Sequence, residues 1–297
     1  MRRLLCDLGI CNEDTIVPLY PKTRDRDDIS VFKCERSEVI FLSRSDHTGD
    51  SHYKKKRQPT QTSFEENYKK NSSVQEAQRF RQEDSNRRLA QFKNVIANKK
   101  WLDVGTGFSG ILDLLSPYSS KTLAVEPQED AREYLKQECK YEAFSSVDDV
   151  PCNDIDIVTL FHVFEHLNNP TEALKSIKKK MTKGGKVIIE VPHARDFLLS
   201  FLNLECYKAF SFWSEHLILH TRESLTAFLK LAGFSNISIL GYQRYPLANH
   251  LYWLAKSKPG GHLIWDHLRT RELDEAYANT LSNLDVTDTL IATAVNE

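Results

Sequence analysis

From Lys99 to Pro192 the sequence alternates short apolar runs with helix-length amphipathic ones: "KKWLDVG", "ILDLLSPY", "TLAVEP", "EDAREYLKQE", "DIDIVTLF", "PTEALKSIKKKM" and "GGKVIIEVP". Strands separated by segments of this length join through crossover helices, which makes βαβ units and a parallel sheet covered on both faces. An amphipathic segment "TRESLTAFLKLAGF", a strand "NISILGYQ" and a closing strand "DTLIATAV" come next. The expected fold is α/β, a doubly wound and mostly parallel sheet.

The residues ahead of this pattern read differently. Two β-like pieces, "ISVFKC" and "EVIFLS", lead into the polar stretch "RSDHTGDSHYKKKRQPTQT", and 64–98 carries apolar residues at helical spacing on a mostly solvated segment. This divides the chain into a small module over 1–63, a helical connector over 64–99 and the main domain over 100–297. Lysine and arginine number 40 against 41 acidic residues, so no global field favours nucleic acid or a membrane surface. The tetrad Lys54, Lys55, Lys56 and Arg57 is too isolated to change that. The start "MRRLLCDLGICNEDT" is too polar for a secretory segment, no run has the length of a membrane span, and the six cysteines show no dense spacing. A cytoplasmic chain with reduced thiols is expected.

Gly105, Gly107 and Gly110 spell G-x-G-x-x-G, a backbone that suits dinucleotides and other nucleotide ligands alike: a tight turn off a strand, bare enough for a nucleotide to approach a helix N-terminus. Two carboxylates separate the cases. Asp103, at the strand end just before the glycines, repels a pyrophosphate and attracts an α-ammonium. Glu126, closing the next strand about 20 residues on, accepts hydrogen bonds from ribose hydroxyls, a signal common to both ligand classes.

The stretch "LFHVFEHL", followed by "NNPTEALKSIKKKMTKGGKVIIEVP", completes a set with Asp103, Gly105, Gly107 and Glu126. In this order the sequence closely resembles the class I S-adenosylmethionine-dependent methyltransferases, particularly bacterial small-molecule enzymes with H-x-x-E-H after the fourth strand, over most of 86–240 and the closing strand. The resemblance implies a seven-stranded sheet with an antiparallel final strand. It implies that Asp103, Gly105, Thr106 and Gly107 hold the methionine part of S-adenosylmethionine and Glu126 the ribose. Ser146 and Val147 would lie by the adenine, and Phe161 and His162 would line the pocket. Thr106 stands where the family usually has a small residue or cysteine, a mild departure.

His162, Glu165 and His166 also look like a reversed zinc box, H-x-x-E-H, but the stretch opens a loop after a strand instead of lying on a helix, so no metal is expected there. The N-terminal cysteines resemble the small zinc-binding module that often begins related methyltransferases. Here the pairs are broken: Cys6 and Cys11 are widely spaced, and Ser37 stands where the partner of Cys34 would be, so His47 or His52 would have to substitute. A degenerate, metal-free module is expected.

The intervals 193–220 and 243–287 come after the fifth and sixth strands of the main domain and overhang the crevice. Each mixes aromatics with polar residues, the makeup of an acceptor pocket, while Phe210, Phe212, Trp213, Tyr252 and Trp253 equally suit core packing or a homodimer contact. The tail "YPLANHLYWLAKSKPGGH" is similar to those of methyltransferases associated with bacterial polysaccharide clusters, which implies a sugar or sugar-nucleotide acceptor. An alcohol nucleophile benefits from a positioned base. His193, just past the fifth strand, is the first candidate, and His216 beside Glu215 is the second. A non-catalytic cofactor binder and a dehydrogenase are the competing readings; bound S-adenosyl species, nothing, or a dinucleotide would separate the three.

Overall fold

The computed structural model describes residues 1–48 and 82–297. The 63/64 boundary, His52, the basic tetrad and the first part of the connector lie outside the described residues. Two β-sheets carry the fold. Helix α1 (Arg2–Asp7) precedes strands β1 (Ile16–Tyr20), β2 (Val31–Cys34) and β3 (Ile40–Leu42). Helix α2 (Gln82–Ile96) then leads into the main domain.

There the chain runs β4 (Lys100–Val104), α3 (Ile111–Leu115), β5 (Lys121–Val125), α4 (Glu129–Gln137), β6 (Glu142–Phe144), β7 (Ile155–Phe161), α5 (Pro170–Lys180) and β8 (Met181–Pro192). It continues through α6 (Glu205–Ser211), β9 (Ile218–Leu219), α7 (Arg222–Leu231) and β10 (Ser235–Tyr242). Helices α8 (Leu247–Lys256), α9 (Gly261–Ile264) and α10 (Arg271–Asn283) precede the last strand, β11 (Thr289–Val295).

The larger sheet has seven strands in the order β10-β11-β8-β7-β4-β5-β6. Strands β8, β7, β4, β5 and β6 are parallel, and β11 runs antiparallel to both β8 and β10. This is the expected doubly wound, mostly parallel arrangement with an antiparallel final strand. The central strands bury apolar residues on both faces, as parallel strands covered by helices do: Leu102, Val158, Leu160, Val187 and Ile189 on one face and Trp101, Ile157 and Ile188 on the other are buried. The order reverses between β4 and β7, so a crevice opens at their C-terminal ends.

The smaller sheet, β1-β2-β3-β9, is antiparallel throughout. Its fourth strand belongs to the interval 193–220, read from sequence as an acceptor-side insertion. Ile40 pairs with Leu219 and Phe41 with Ile218, and the Leu42 N–H donates to the Leu217 carbonyl. One apolar core runs from Leu5, Val31 and Phe41 to Leu102, Val187 and Leu290. The N-terminal segment is thus built into the main domain and completed by it. Strand β1 escapes a sequence reading because Pro18 breaks its pattern.

A shared core predicts shared stability. Unfolding followed by heat or urea is expected to be a single transition, with amides of β2 and β3 protected from hydrogen exchange about as well as those of β7. A separate, earlier transition confined to 1–42 would show that the two sheets are independent.

Candidate active site

Asp103 ends β4 almost completely buried, and its carboxylate accepts from the Thr159 hydroxyl at 2.5 Å and the Thr106 hydroxyl at 2.9 Å. Burial pushes its pKa up to about 6, against the pull of those two hydroxyls. The next residues turn sharply, with Gly105 at φ +77° and Gly107 at φ +63°. A Cβ on Gly105 would meet Val163 Cγ2 at 2.3 Å, so both the dihedral and the contact demand glycine.

Glu126 comes directly after β5 and is 7% exposed. Its two oxygens accept the Gly107 N–H at 2.7 Å and the Gln128 N–H at 2.8 Å, which brings the second carboxylate onto the glycine turn. Asp103, Gly105, Thr106, Gly107 and Glu126 therefore converge as the spacing suggests. The arrangement joins a buried carboxylate, a bare glycine turn and a second carboxylate bonded to that turn. Val147 is half-buried beyond β6 and Ser146 is exposed there, its hydroxyl donating to Asp149.

Phe161 and His162 close β7. The Arg88 guanidinium lies 4.7 Å from the Phe161 ring centre, and Phe92 packs against the same ring. His162 sits at φ +55°, with its N–H on the Glu190 carbonyl. Its Nδ1 is 3.3 Å from Glu165 Oε1 and its Nε2 is 3.2 Å from Glu190 Oε1. Burial works to lower its pKa, but these two carboxylates prevail and raise it.

Glu190 is the group that sequence reasoning missed. It is fully buried on β8, held by Arg87 and Arg88 of α2, each at 2.7 Å. Burial disfavours its charge, yet His162 and Arg88 carry the pKa well below the ordinary range. The available signal was an acidic residue in the apolar run "KVIIEVP", since a charge in a central strand is rarely buried without partners. Arg244, after β10, joins the same network through Asp84, His162 and Asp288. Together these charges tie α2 and the 243–245 loop over the ends of β7 and β8.

The two histidine candidates are placed apart. His193 is 1% exposed, with Nδ1 at 3.0 Å from the Thr287 carbonyl and a backbone bridge to His220. Burial lowers its pKa to about 4. A histidine this enclosed is poorly placed to meet an incoming hydroxyl. His216 lies instead in the interval before β9, where its N–H donates to the Trp213 carbonyl and its ring stands 5.0 Å from that of His166. Burial, then the neighbouring His166, lowers its pKa to about 3. Glu215, the neighbour that sequence paired with it, is not needed for the cluster: Glu165 is the carboxylate close to His216.

In the N-terminal segment Cys11 Sγ lies 3.8 Å from Ser37 Oγ, and the Ser37 N–H points at Cys34 Sγ. His47, one proposed substitute ligand, is committed elsewhere: its Nε2 is 2.6 Å from the Ser214 carbonyl. Of the aromatics, Phe212 and Trp253 are buried, and Trp253 packs against Tyr207 and Phe210. Among the described residues, no helix is long and apolar enough to cross a membrane.

Residues 76–239 match the family model for a methyltransferase domain. No curated protein matches the sequence. Among solved structures, an S-adenosylmethionine-dependent methyltransferase from Thermotoga maritima, described as a possible histamine N-methyltransferase, is similar at 16% identity and TM-score 0.50, over 75% of this chain and 96% of that one. A chain of the complex between the Haloferax volcanii Trm112 methyltransferase activator and its methyltransferase is similar at 14% identity and TM-score 0.50, over 74% and 93%. An S-adenosylmethionine-dependent methyltransferase from Archaeoglobus fulgidus is 20% identical with TM-score 0.48, over 71% and 94%. At identities this low, the two similarities at TM-score 0.50 speak for a shared fold alone.

The glycine turn gives a direct test. Gly105→Ala combines a left-handed dihedral with a steric overlap on Val163, and is expected to cost about 1–3 kcal/mol in urea titration. Adding Val163→Ala should restore part of that loss, because it removes the overlap and leaves the dihedral. No recovery in the double variant would mean the contact is not what fixes the turn.

Proposed function

The chain belongs to the methyltransferase-domain family, and from that premise we propose that it methylates a hydroxyl of a small, sugar-like molecule. It is an S-adenosylmethionine-dependent methyltransferase. The observation that carries the cofactor assignment is the pair of carboxylates, Asp103 and Glu126, converging on one positive-φ glycine turn. In this reading Asp103 faces the α-ammonium, Glu126 exchanges its bonds to the Gly107 and Gln128 N–H groups for ribose hydroxyls, and Ser146 and Val147 lie along the adenine. Phe161 and His162 border the methyl end. The donor, when bound, supplies an activated methyl group on sulfur, so the protein's part is alignment of the acceptor and exclusion of water.

For the acceptor, support comes from the tail's resemblance to methyltransferases of polysaccharide clusters and from the polar aromatic interval 193–220. N-transfer and C-transfer are the alternatives. On the acceptor side we assign His216 over His193. His216 is partly accessible and stands with Glu165 and His166 in the turn after β7, whereas His193 is enclosed and bonded to a loop carbonyl. The N-terminal cysteine cluster is read as a structural, metal-free element, with Ser37 filling the place of a thiolate.

Calorimetric titration tests the cofactor reading. Wild type should bind S-adenosylmethionine and S-adenosylhomocysteine and not NAD, and Asp103→Ala should bind weakly. The free Asp103 carboxyl has its pKa raised to about 6, and an ammonium ligand favours the ionised form. Affinity should therefore weaken as pH falls from about 7 to 5, releasing a proton on binding, and this slope should vanish in Asp103→Asn. Equal binding by wild type and Asp103→Ala would remove Asp103 from the site, and NAD binding would overturn the assignment.

Once an acceptor is in hand, turnover at saturating cofactor separates the histidines. His216→Ala is expected to lose about 100-fold or more with cofactor affinity kept, and His193→Ala to lose less than that while melting at a lower temperature. The reverse pattern would return the acceptor-side role to His193.

A further inference from the structure

Glu165, His166 and His216 present one donor atom each, all within 4.8 Å of one another. Glu165 is fully buried, with one oxygen 3.8 Å from His166 Nε2 and 3.3 Å from His162 Nδ1. Its other oxygen, Oε2, is buried without a hydrogen-bond partner among the described residues. A buried carboxylate oxygen left unfilled is costly, and such an exception calls for a missing partner. The cluster is also held from both sides by backbone: the Leu217 N–H donates to the Glu165 carbonyl at 2.9 Å, and the His216 N–H to that of Trp213 at 3.0 Å. The Trp213 ring walls the site, 5.2 Å from His216 and 5.9 Å from His166.

We propose that Glu165, His166 and His216 form a binding site for a divalent transition-metal ion, which leaves an open position for the acceptor hydroxyl. Two imidazoles and one carboxylate suit zinc, cobalt, manganese or ferrous iron, whereas magnesium prefers all-oxygen sites. Donors on a tetrahedral ion with bonds of about 2.1 Å lie about 3.4 Å apart, so the present spread closes by rotation of the imidazoles. Three protein ligands are the number that leaves a catalytic position free.

The sequence offers His162, Glu165 and His166 as a zinc-box look-alike with no metal expected. The fold changes the set. His162 turns to Glu190 and Arg244, and the third ligand, His216, arrives from the interval before β9. His162 stays in contact with Glu165, the position of an outer partner that orients a ligand.

The ion's role in transfer rests on the O-methylation reading; its binding does not. A hydroxyl on the metal loses its proton to solvent at lower pH than in water. Its oxygen then bonds to the methyl carbon, the carbon–sulfur bond breaks, and that electron pair stays on sulfur.

The test uses the full chain, stripped with chelator and titrated with Co2+ and then Zn2+. Wild type should take up about one Co2+ per chain with a visible absorption band, displaced by Zn2+. His216→Ala and Glu165→Gln should each weaken binding beyond the about 100-fold that changes in outer partners reach. Cys34→Ser should bind as wild type does, and calorimetry with S-adenosylhomocysteine on each variant reports whether it is folded. Should Glu165→Gln fail to fold, His216→Ala alone carries the comparison. No Co2+ bound by wild type, uptake unchanged in His216→Ala, or uptake lost only in Cys34→Ser would each overturn the site. Failure of wild type to bind S-adenosylhomocysteine would instead overturn the methyltransferase reading and leave the metal result standing.

Discussion

The Glu190 carboxylate holds the site together. It sits on a central strand with no access to water, and its charge is met by Arg87, Arg88 and His162 at once. Desolvating such a carboxylate costs several kcal/mol, and the coulombic return is adequate only when the geometry is good and every oxygen is used. Both oxygens are used here, in paired contacts from two guanidinium groups. The consequence is positional. Helix α2 is fixed over the ends of β7 and β8, Phe161 is covered by Arg88 and Phe92, and His162 has one orientation. An apolar residue in place of Glu190 would leave Arg88 without its carboxylate and Arg87 with Asp84 alone, so α2 would be held by the packing of Phe92 and Ile96 and no longer by charge.

Much of the sheet was legible because its signals are local. Four strands of the run "KKWLDVG" to "GGKVIIEVP" announce themselves by length and flanking helix, whereas β6, three residues long, does not; the glycine turn with Asp103 and Glu126 is fixed by connection lengths that a βαβ unit hardly varies. The remainder was hidden because it depends on contacts between distant segments. Two residues of β9 are too few to show a period, and they count as a strand only because β3 offers an edge. His193 illustrates the same limit. Its place after β8 is correct, but its environment is set by the Thr287 carbonyl and the chain leading into β11, almost a hundred residues on. Position along a strand says where the Cα lies and not what encloses the ring.

The tail that carries the resemblance to polysaccharide-cluster enzymes shows a second kind of hidden role. Asn249 Oδ1 accepts the Gly261 N–H, and His250 Nδ1 meets the Tyr277 hydroxyl at 2.7 Å. Gly261 fits against α8 so closely that a Cβ would lie 2.2 Å from that of Tyr252. Asn249, His250 and Gly261 are thus accounted for by packing α8, α9 and α10 together. These three residues can mark a family of structures without touching its substrate, which leaves other groups to contact the acceptor. The interval 193–220 is the better place to look for them, since it carries His216 and Trp213 and is anchored to the N-terminal sheet.

The turn at 162–166 is where these threads meet. His162 joins the Glu190 network on one side, and the Val163 methyls occupy the space that a side chain at Gly105 would need. Glu165 and His166 face His216 on the other. Five consecutive residues therefore touch the cofactor loop, the buried ion cluster and the acceptor-side interval. Such a turn cannot relax freely, which accounts for a histidine held at φ +55°: a left-handed non-glycine residue persists only where its surroundings over-determine it. A displacement of the glycine turn reaches Val163 directly and the carboxylate of Glu165 two residues later, so in the proposed reading the cofactor side and the acceptor side would share one piece of backbone.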